Sequence, residues 1–512
     1  QDGTTIVVDS FDGSVNTSGK NRAKFIIANG VKKSNGIYTK KAPLSVEHST
    51  FEVSLPGPSN GIYNNGIFID TNASGTHEVD NSTLKINGSQ SNGILVKKGT
   101  LSTNTDTFEI GGSFNNGIQS TGSTTAIKDT HSTFTITGTN SNGVYADTGT
   151  VDLLGTTMTV NGTNSNGIIV KTSGAVNIKK DTNGNRAKFI VGSNGSNGVF
   201  VTDGKAINEI SDTDFTVTGN GTGILVGDTS NTNTKINKIT DSTFDVKGVN
   251  SADDTDKAGT GIYMHNGEIT FDDNVKMTGD GKDIFVTVDN RYGNKMIFGG
   301  NHGSGYSDAN IITATNPSSE NIGFNFQNGN TSKTATVEVK NDSSKNGFDM
   351  IFYGDKNNGF KVNSYVHTLN LINGDNTAAS GTLGGDILSA EGEYGKGRIL
   401  MVGDHNVVYN GLGYVANGEI NLSDVQMYGD NNTMISLQGP SKKVISPTNT
   451  TATEPVNYTE APVGVYHGNI HIQGAIGGDT VTGSKKPTNN NIAVYAASGQ
   501  QKGQLFLGNI SD

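Results

Sequence analysis

The sequence predicts an all-β chain wound as a right-handed parallel β-helix, and three observations carry that prediction. A short phrase recurs: Phe-x-Val/Ile, a polar corner, then Asn-Gly-Ile/Val with a second apolar pair. Examples are Phe108-Glu109-Ile110 with Asn116-Gly117-Ile118, and Phe134-Thr135-Ile136 with Asn142-Gly143-Val144. The glycines Gly93, Gly117, Gly143 and Gly167 stand 24, 26 and 24 residues apart, each nine residues after its Phe-type residue, and a fixed period of that size marks a stacked repeat. The composition agrees, with 70 Gly, 9 Pro, 32% hydrophobic and 17% charged residues among 512. No composition break separates ordinary domains, and the regular Ile, Val and Phe positions distinguish the chain from a disordered one.

Each strand of the unit alternates: Phe134 and Ile136 share one face with Thr135 on the other, the pattern of a half-buried strand. The corner is not a two-residue hairpin, because Gly138-Thr139-Asn140-Ser141 separates Ile136 from Asn142. A propeller blade needs ~40 residues and four strands, which this unit does not supply. Stacked in parallel, successive units place Phe51, Leu84, Phe108, Phe134, Met158, Phe189, Phe215 and Phe244 in one internal column. The glycine of each Asn-Gly is expected to permit a left-handed or otherwise restricted corner without a Cβ clash, and stacked asparagines to hydrogen-bond from rung to rung. The regular rungs run over residues 1–290. From Gly279 the corner changes to Gly-Asp-x-Asn, as at Gly403-Asp404-His405-Asn406, and residues 291–512 read as a continuing, less regular β-helix.

Candidate binding positions lie where the period breaks, because extra residues loop out of a solenoid on one face. The first break, residues 249–260, contains Asp253, Asp254 and Asp256. It lacks the glycine and terminal glutamate of an EF-hand loop, so a solvated acidic loop is favoured over a Ca²⁺ site, and no metal or cofactor is expected. Residues 437–468 collect four of the nine prolines and are read as a long loop with Tyr458, Tyr466 and His467 as recognition side chains. Arg291 and Tyr292 open a third irregular stretch and form an Arg-aromatic pair suited to stacking on a sugar or a protein.

Several function classes recede. A net charge of −11 with no basic stripe excludes nucleic acid as the expected partner, and the absence of cysteine excludes disulfides, thiolate metal sites and a thiol nucleophile. No Gly-x-Ser-x-Gly, His-Glu-x-x-His or Walker loop is present. The acidic residues leave open a β-helical polysaccharide lyase or hydrolase, which would need clustered carboxylates on an external face.

Ser-Asn-Gly-Ile/Val units at Ser34, Ser59, Ser91, Ser141, Ser165 and Ser196, with the segment Asn491-Ile492-Ala493-Val494-Tyr495-Ala496-Ala497-Ser498-Gly499-Gln500, resemble the passenger region of large type V autotransporter adhesins of fusobacteria. The resemblance is one of repeat style over nearly the whole chain, and it transfers no catalytic or binding motif. It implies a secreted, non-enzymatic, cell-surface β-helical stalk displayed at the outer membrane, binding a receptor on host cells or other bacteria. A toxin-like passenger is the alternative within that architecture. With no barrel strands after Asp512, the chain is read as an N-terminal part of a longer passenger.

Overall fold

The computed structural model describes residues 6–8, 23–27, 32–40, 43–53, 63–71, 75–171, 176–202, 204–228, 234–248, 259–289, 293–299, 310–314, 320–327, 333–339, 348–363, 366–373, 399–437, 465–476, 490–496 and 502–511. Every element among them is a β-strand, and the pairings are parallel. The architecture is a parallel β-helix. The described residues divide into two units, the first built on residues up to Gly227 and the second on residues from Thr260 onward, with residues 228–259 shared between them.

One rung of the first unit contains three strands, for instance Asn116–Ser120, Thr125–Thr130 and Thr133–Ile136. Asn142–Ala146 then begins the next turn and pairs in parallel with Asn116–Ser120. The register is strict. Phe25, Phe51, Leu84, Phe108, Phe134, Met158, Phe189 and Phe215 stand directly above one another. The expected column therefore exists, and from Phe51 to Phe215 its members are at most 1% exposed. Parallel pairing sets a repeat of ~4.8 Å, close to the contact distance of two aromatic rings, so like residues stack face to face. Phe108 and Phe134 do so at 4.3 Å and 2° between planes, and Phe189 and Phe215 at 5.1 Å and 13°. In the second unit the equivalent column descends from Phe244 through Met277, Ile312, Met350 and Ile399 to Val425.

The left-handed conformation expected at the Asn-Gly glycine falls elsewhere. It is adopted three residues earlier, by Gln90, Phe114, Asn140 and Asn164, with φ between 52° and 58°. The glycine is required for another reason. A Cβ on Gly117 would lie 2.6 Å from the Gly143 carbonyl oxygen and 3.0 Å from the Phe134 ring, and one on Gly143 would lie 2.6 Å from the Gly167 carbonyl oxygen. The rungs approach too closely there for any side chain.

The asparagine before that glycine forms the expected ladder. Each side-chain amide donates to the side-chain oxygen one rung back: Asn65 to Asn35 at 2.7 Å, Asn92 to Asn65 at 2.9 Å, Asn116 to Asn92 at 2.9 Å and Asn142 to Asn116 at 2.9 Å. Asn166 and Asn197 extend it, at 2.8 and 2.9 Å.

A second device holds the backbone of the corner. The residue after the left-handed position donates its N–H to the side chain of its counterpart one rung on: Ser34 to Asn64 Oδ1 at 2.9 Å, Ser91 to Asn115 Oδ1 at 2.9 Å, and Ser141 to Ser165 Oγ at 3.0 Å. The changed corner of the second unit keeps this contact. Lys356, His405 and Asn431 are left-handed, and the following asparagines link in series: Asn321 N–H to Asn357 Oδ1 at 3.0 Å, Asn357 to Asn406 at 2.9 Å, and Asn406 to Asn432 at 2.8 Å. Gly-Asp-x-Asn is thus the same corner with asparagine in the place that Ser91 and Ser141 hold in the first unit.

Replacing Phe134 by Ala should destabilise the fold by ~3–5 kcal/mol, since it opens a void between two stacked side chains. Thr135→Ser, on the outer face, should change stability by less than ~0.5 kcal/mol. Denaturant melts of the two variants check this, and equal effects would be incompatible with the column. Gly117→Ala should destabilise more than Gly184→Asn, because a Cβ on Gly184 meets nothing within 4 Å and Asn tolerates its φ of +86°.

Candidate functional site: interior acids and exterior rows

Of the positions singled out in the sequence, Asp253, Asp254, Asp256, Arg291, Tyr292 and Tyr458 lie outside the described residues. Tyr466 and His467 belong to the strand Val465–Ile476, so the stretch read as a loop to residue 468 has already become a strand by Val465. Tyr466 is 3% exposed, and this corrects its reading as a recognition side chain. Its hydroxyl donates to the Asn469 carbonyl at 3.0 Å and its ring meets that of Tyr409 edge-on at 6.0 Å. The ring occupies the space above Gly418, where a Cβ would come within 2.1 Å of its hydroxyl oxygen. Alternation decides this placement: in a strand paired on Tyr414–Tyr428, residue 466 faces inward and His467, half-buried, faces the other way.

Of the buried carboxyls of the first unit, which the sequence reading missed, Asp106 and Asp129 are the most enclosed. Asp129 occupies an inward position in register with Val79, Thr103, Leu153 and Ile178, and it is fully buried. Thr103 Oγ1 donates to its Oδ1 at 2.6 Å and Thr156 Oγ1 donates to its Oδ2. Burial raises its pKa against the opposing hydroxyls of Ser132, Thr103 and Thr156. Asp106 stands at the other corner of the rung, where it performs the task that Ser49, Ser82 and Ser132 perform on neighbouring rungs. Ser82 N–H donates to Asp106 Oδ1 at 2.6 Å and Asp106 N–H donates to Ser132 Oγ at 3.1 Å. Its Oδ2 is buried without a partner. Burial first, and then the negative charges of Asp129 and Asp80, push the Asp106 carboxyl up to about 8, against the Ser82 N–H that lowers it.

His77 is a third buried polar group, in register with Leu101. Its Nδ1 accepts from the Leu44 N–H at 3.2 Å, and burial lowers its pKa to about 4. The accepting Nδ1 fixes the neutral tautomer with the proton on Nε2. A carboxyl or imidazole sealed inside a coil meets no solute, so these groups hydrogen-bond and titrate without reaching a substrate. An acid standing beside Thr103 in a column that is Val79, Leu153 and Ile178 elsewhere was the available signal for Asp129.

The exterior presents the groups that a partner can reach. On the outer face of the Asn-Gly sheet one side chain per rung falls in register, in the order Tyr38, Phe68, Leu95, Gln119, Tyr145, Ile169, Phe200 and Leu225. Ile169 is buried and the other seven are half-buried. Tyr38 and Phe68 stack at 5.0 Å with 17° between planes, and the Lys171 ammonium lies 5.3 Å from the centre of the Tyr145 ring. The neighbouring sheet carries opposite charges across rungs instead, with Lys24 to Glu52 at 3.0 Å and Lys85 to Glu109 at 3.1 Å. No group of three or more His, Cys, Asp or Glu among the described residues is arranged to hold a metal ion. No family model and no curated protein matches this chain.

The sign of the pH dependence follows from the shifts. Asp106 binds its proton more tightly folded than unfolded, so its contribution to stability is complete below the ordinary carboxylate pKa of about 4 and is lost as pH rises through about 8. His77 acts oppositely: its contribution is complete above 6.5 and is lost as pH falls toward about 4. Asp106→Asn keeps an acceptor for Ser82 without the charge. It should melt higher than the parent at pH 9, with the gap closing by pH 5. Parallel melting curves of parent and variant from pH 5 to 9 would mean that Asp106 ionises freely in the fold.

Proposed function

We propose that this chain is a non-enzymatic attachment module, the passenger of a surface-displayed adhesin, which presents binding side chains on a stacked β-scaffold to a protein or glycan on host cells or other bacteria. One observation carries the reading: the row on the outer face of the Asn-Gly sheet, apolar or aromatic on every rung from Tyr38 to Leu225 but that of Gln119. Such side chains gain nothing from the interior, and a row repeated at the rung spacing offers a partner contact area that a fixed backbone has already ordered. Delivery to the outer-membrane surface, with membrane attachment through a separate C-terminal barrel, completes the proposal. It includes no cofactor and no nucleic acid.

Beads coated with the purified chain should attach saturably to epithelial or bacterial cells, and soluble chain should compete. Replacing Phe68, Tyr145 and Phe200 together by Thr should reduce attachment at unchanged melting temperature. Release of new reducing ends from a polysaccharide, with no attachment to any cell, would replace this reading by an enzymatic one.

A further inference from the structure

The left-handed corner that precedes each Asn-Gly forms a row of its own. Gln90, Phe114, Asn140 and Asn164, two residues before the ladder asparagines, are its members on four successive rungs of the first unit, and Tyr63 holds the same place on the rung before them. Two are aromatic, and both stand in solvent: Tyr63 is 57% exposed and Phe114 is 55% exposed. Phe114 adopts φ of +58°, a conformation that suits Asn or Gly and that a bulky side chain seldom takes. Nothing inside the coil accounts for a phenyl ring there, since Gln, Asn and Asn fill the same position on the adjoining rungs without one. Strain held at a solvent-facing position points outward, to something the side chain touches.

We infer that this corner row binds a neutral, linear, equatorially linked polysaccharide, with Tyr63 and Phe114 stacking on alternate sugars and the amides between and beyond them holding the hydroxyls. The inference rests on the attachment reading above and supplies its ligand class. Three features select the ligand. The aromatic residues are two rungs apart, about 10 Å at the spacing of parallel strands, which is also the advance of one disaccharide along an extended β-1,4-linked chain. Between Tyr63 and Asn164 the row carries no charge, and beside it runs a second row of hydroxyls: Ser89, Ser113 and Thr139 are bridged in register. Uncharged amides and hydroxyls suit neutral sugars better than sulfated or uronic ones.

The corner backbone excludes the main competitor. Gln90, Phe114 and Asn140 donate their N–H groups to the carbonyls of Ser113, Thr139 and Thr163, each at 3.0 Å. These N–H groups are therefore taken, and an extended peptide could not add here as a further strand.

The test uses calorimetric titration of the whole chain with cellohexaose and chitohexaose, with maltohexaose as the curved control and polygalacturonate as the anionic one. At least one β-1,4 hexasaccharide should bind, and both controls should not. Phe114→Asn, which restores the residue type of the next two rungs, should leave the melting temperature unchanged or higher and weaken binding about tenfold. Phe114→Tyr should retain it, and Tyr63→Ala should weaken it at unchanged melting temperature. No binding of either β-1,4 hexasaccharide, or equal binding by Phe114→Asn, overturns the inference. Cell attachment measured with the same proteins separates the two readings. Attachment without glycan binding overturns this inference alone, whereas glycan binding sensitive to Phe114, without attachment, supports it and overturns the attachment reading.

Discussion

Everything else in the fold depends on how the corners satisfy their backbone. A parallel coil turns sharply between its strands, and at each turn the ladder of N–H and C=O groups is interrupted. In the first unit two corners use one solution: a residue in the left-handed conformation, followed by one whose N–H is received by a Ser, Asn or Asp side chain on the next rung. Ser91 to Asn115 shows it at one corner and Ser82 to Asp106 at the other. An unpaired buried N–H costs about 1–3 kcal/mol, so a rung without this contact would be penalised at every turn. The contact also reaches from one coil to the next, so rungs are held by side chain as well as by strand pairing.

Given that register, the interior follows. The same vertical spacing that lets an amide reach the next amide brings Phe134 onto Phe108 and Met158, and the column fills without voids because each position repeats its own residue class. The cost is that an exception is felt on both sides. Asp129 stands where its column has Val79 two rungs before and Leu153 on the rung after, and it is accommodated because Thr103 and Thr156 supply hydroxyls from the adjoining rungs. Asp106 has no such pair of hydroxyls, its Oδ2 is buried without a partner, and burial is the main reason its proton is held so tightly.

The exterior has no packing to constrain it, and its variation carries the functional argument. In the first unit the inner column of the Asn-Gly sheet from Ile37 to Ile224 uses Ile and Val on every rung, while the outer row and the corner row mix aromatic, aliphatic and amide side chains. Recognition by a repetitive scaffold requires such departures, since identical rungs offer every ligand the same contacts. The chemistry that a partner would meet is thus set by a few exceptions, Tyr63 and Phe114 among them, on a surface otherwise occupied by the polar residues that solubility favours.

The fold class, the Phe column and the asparagine ladder were legible in the sequence, because a solenoid writes its tertiary contacts as period: residues 24 to 26 apart are neighbours, so Phe108 and Phe134 declare their contact by spacing alone. The place of the left-handed turn was not legible. Asn-Gly suggested a left-handed turn, and only the coordinates show that the turn falls on Phe114 and its equivalents while Gly117 yields to the carbonyl of the rung above. Nor could spacing show that Tyr466 points inward, since a break in the period hides where the next strand begins and therefore which face each residue takes. The titration of Asp106 was equally hidden, because a pKa depends on what surrounds a carboxyl in space. Period determines which residues stack. Burial, strand phase and the approach of one backbone to another are properties of the assembled coil, and they decided which of these side chains are interior and which are left for a partner.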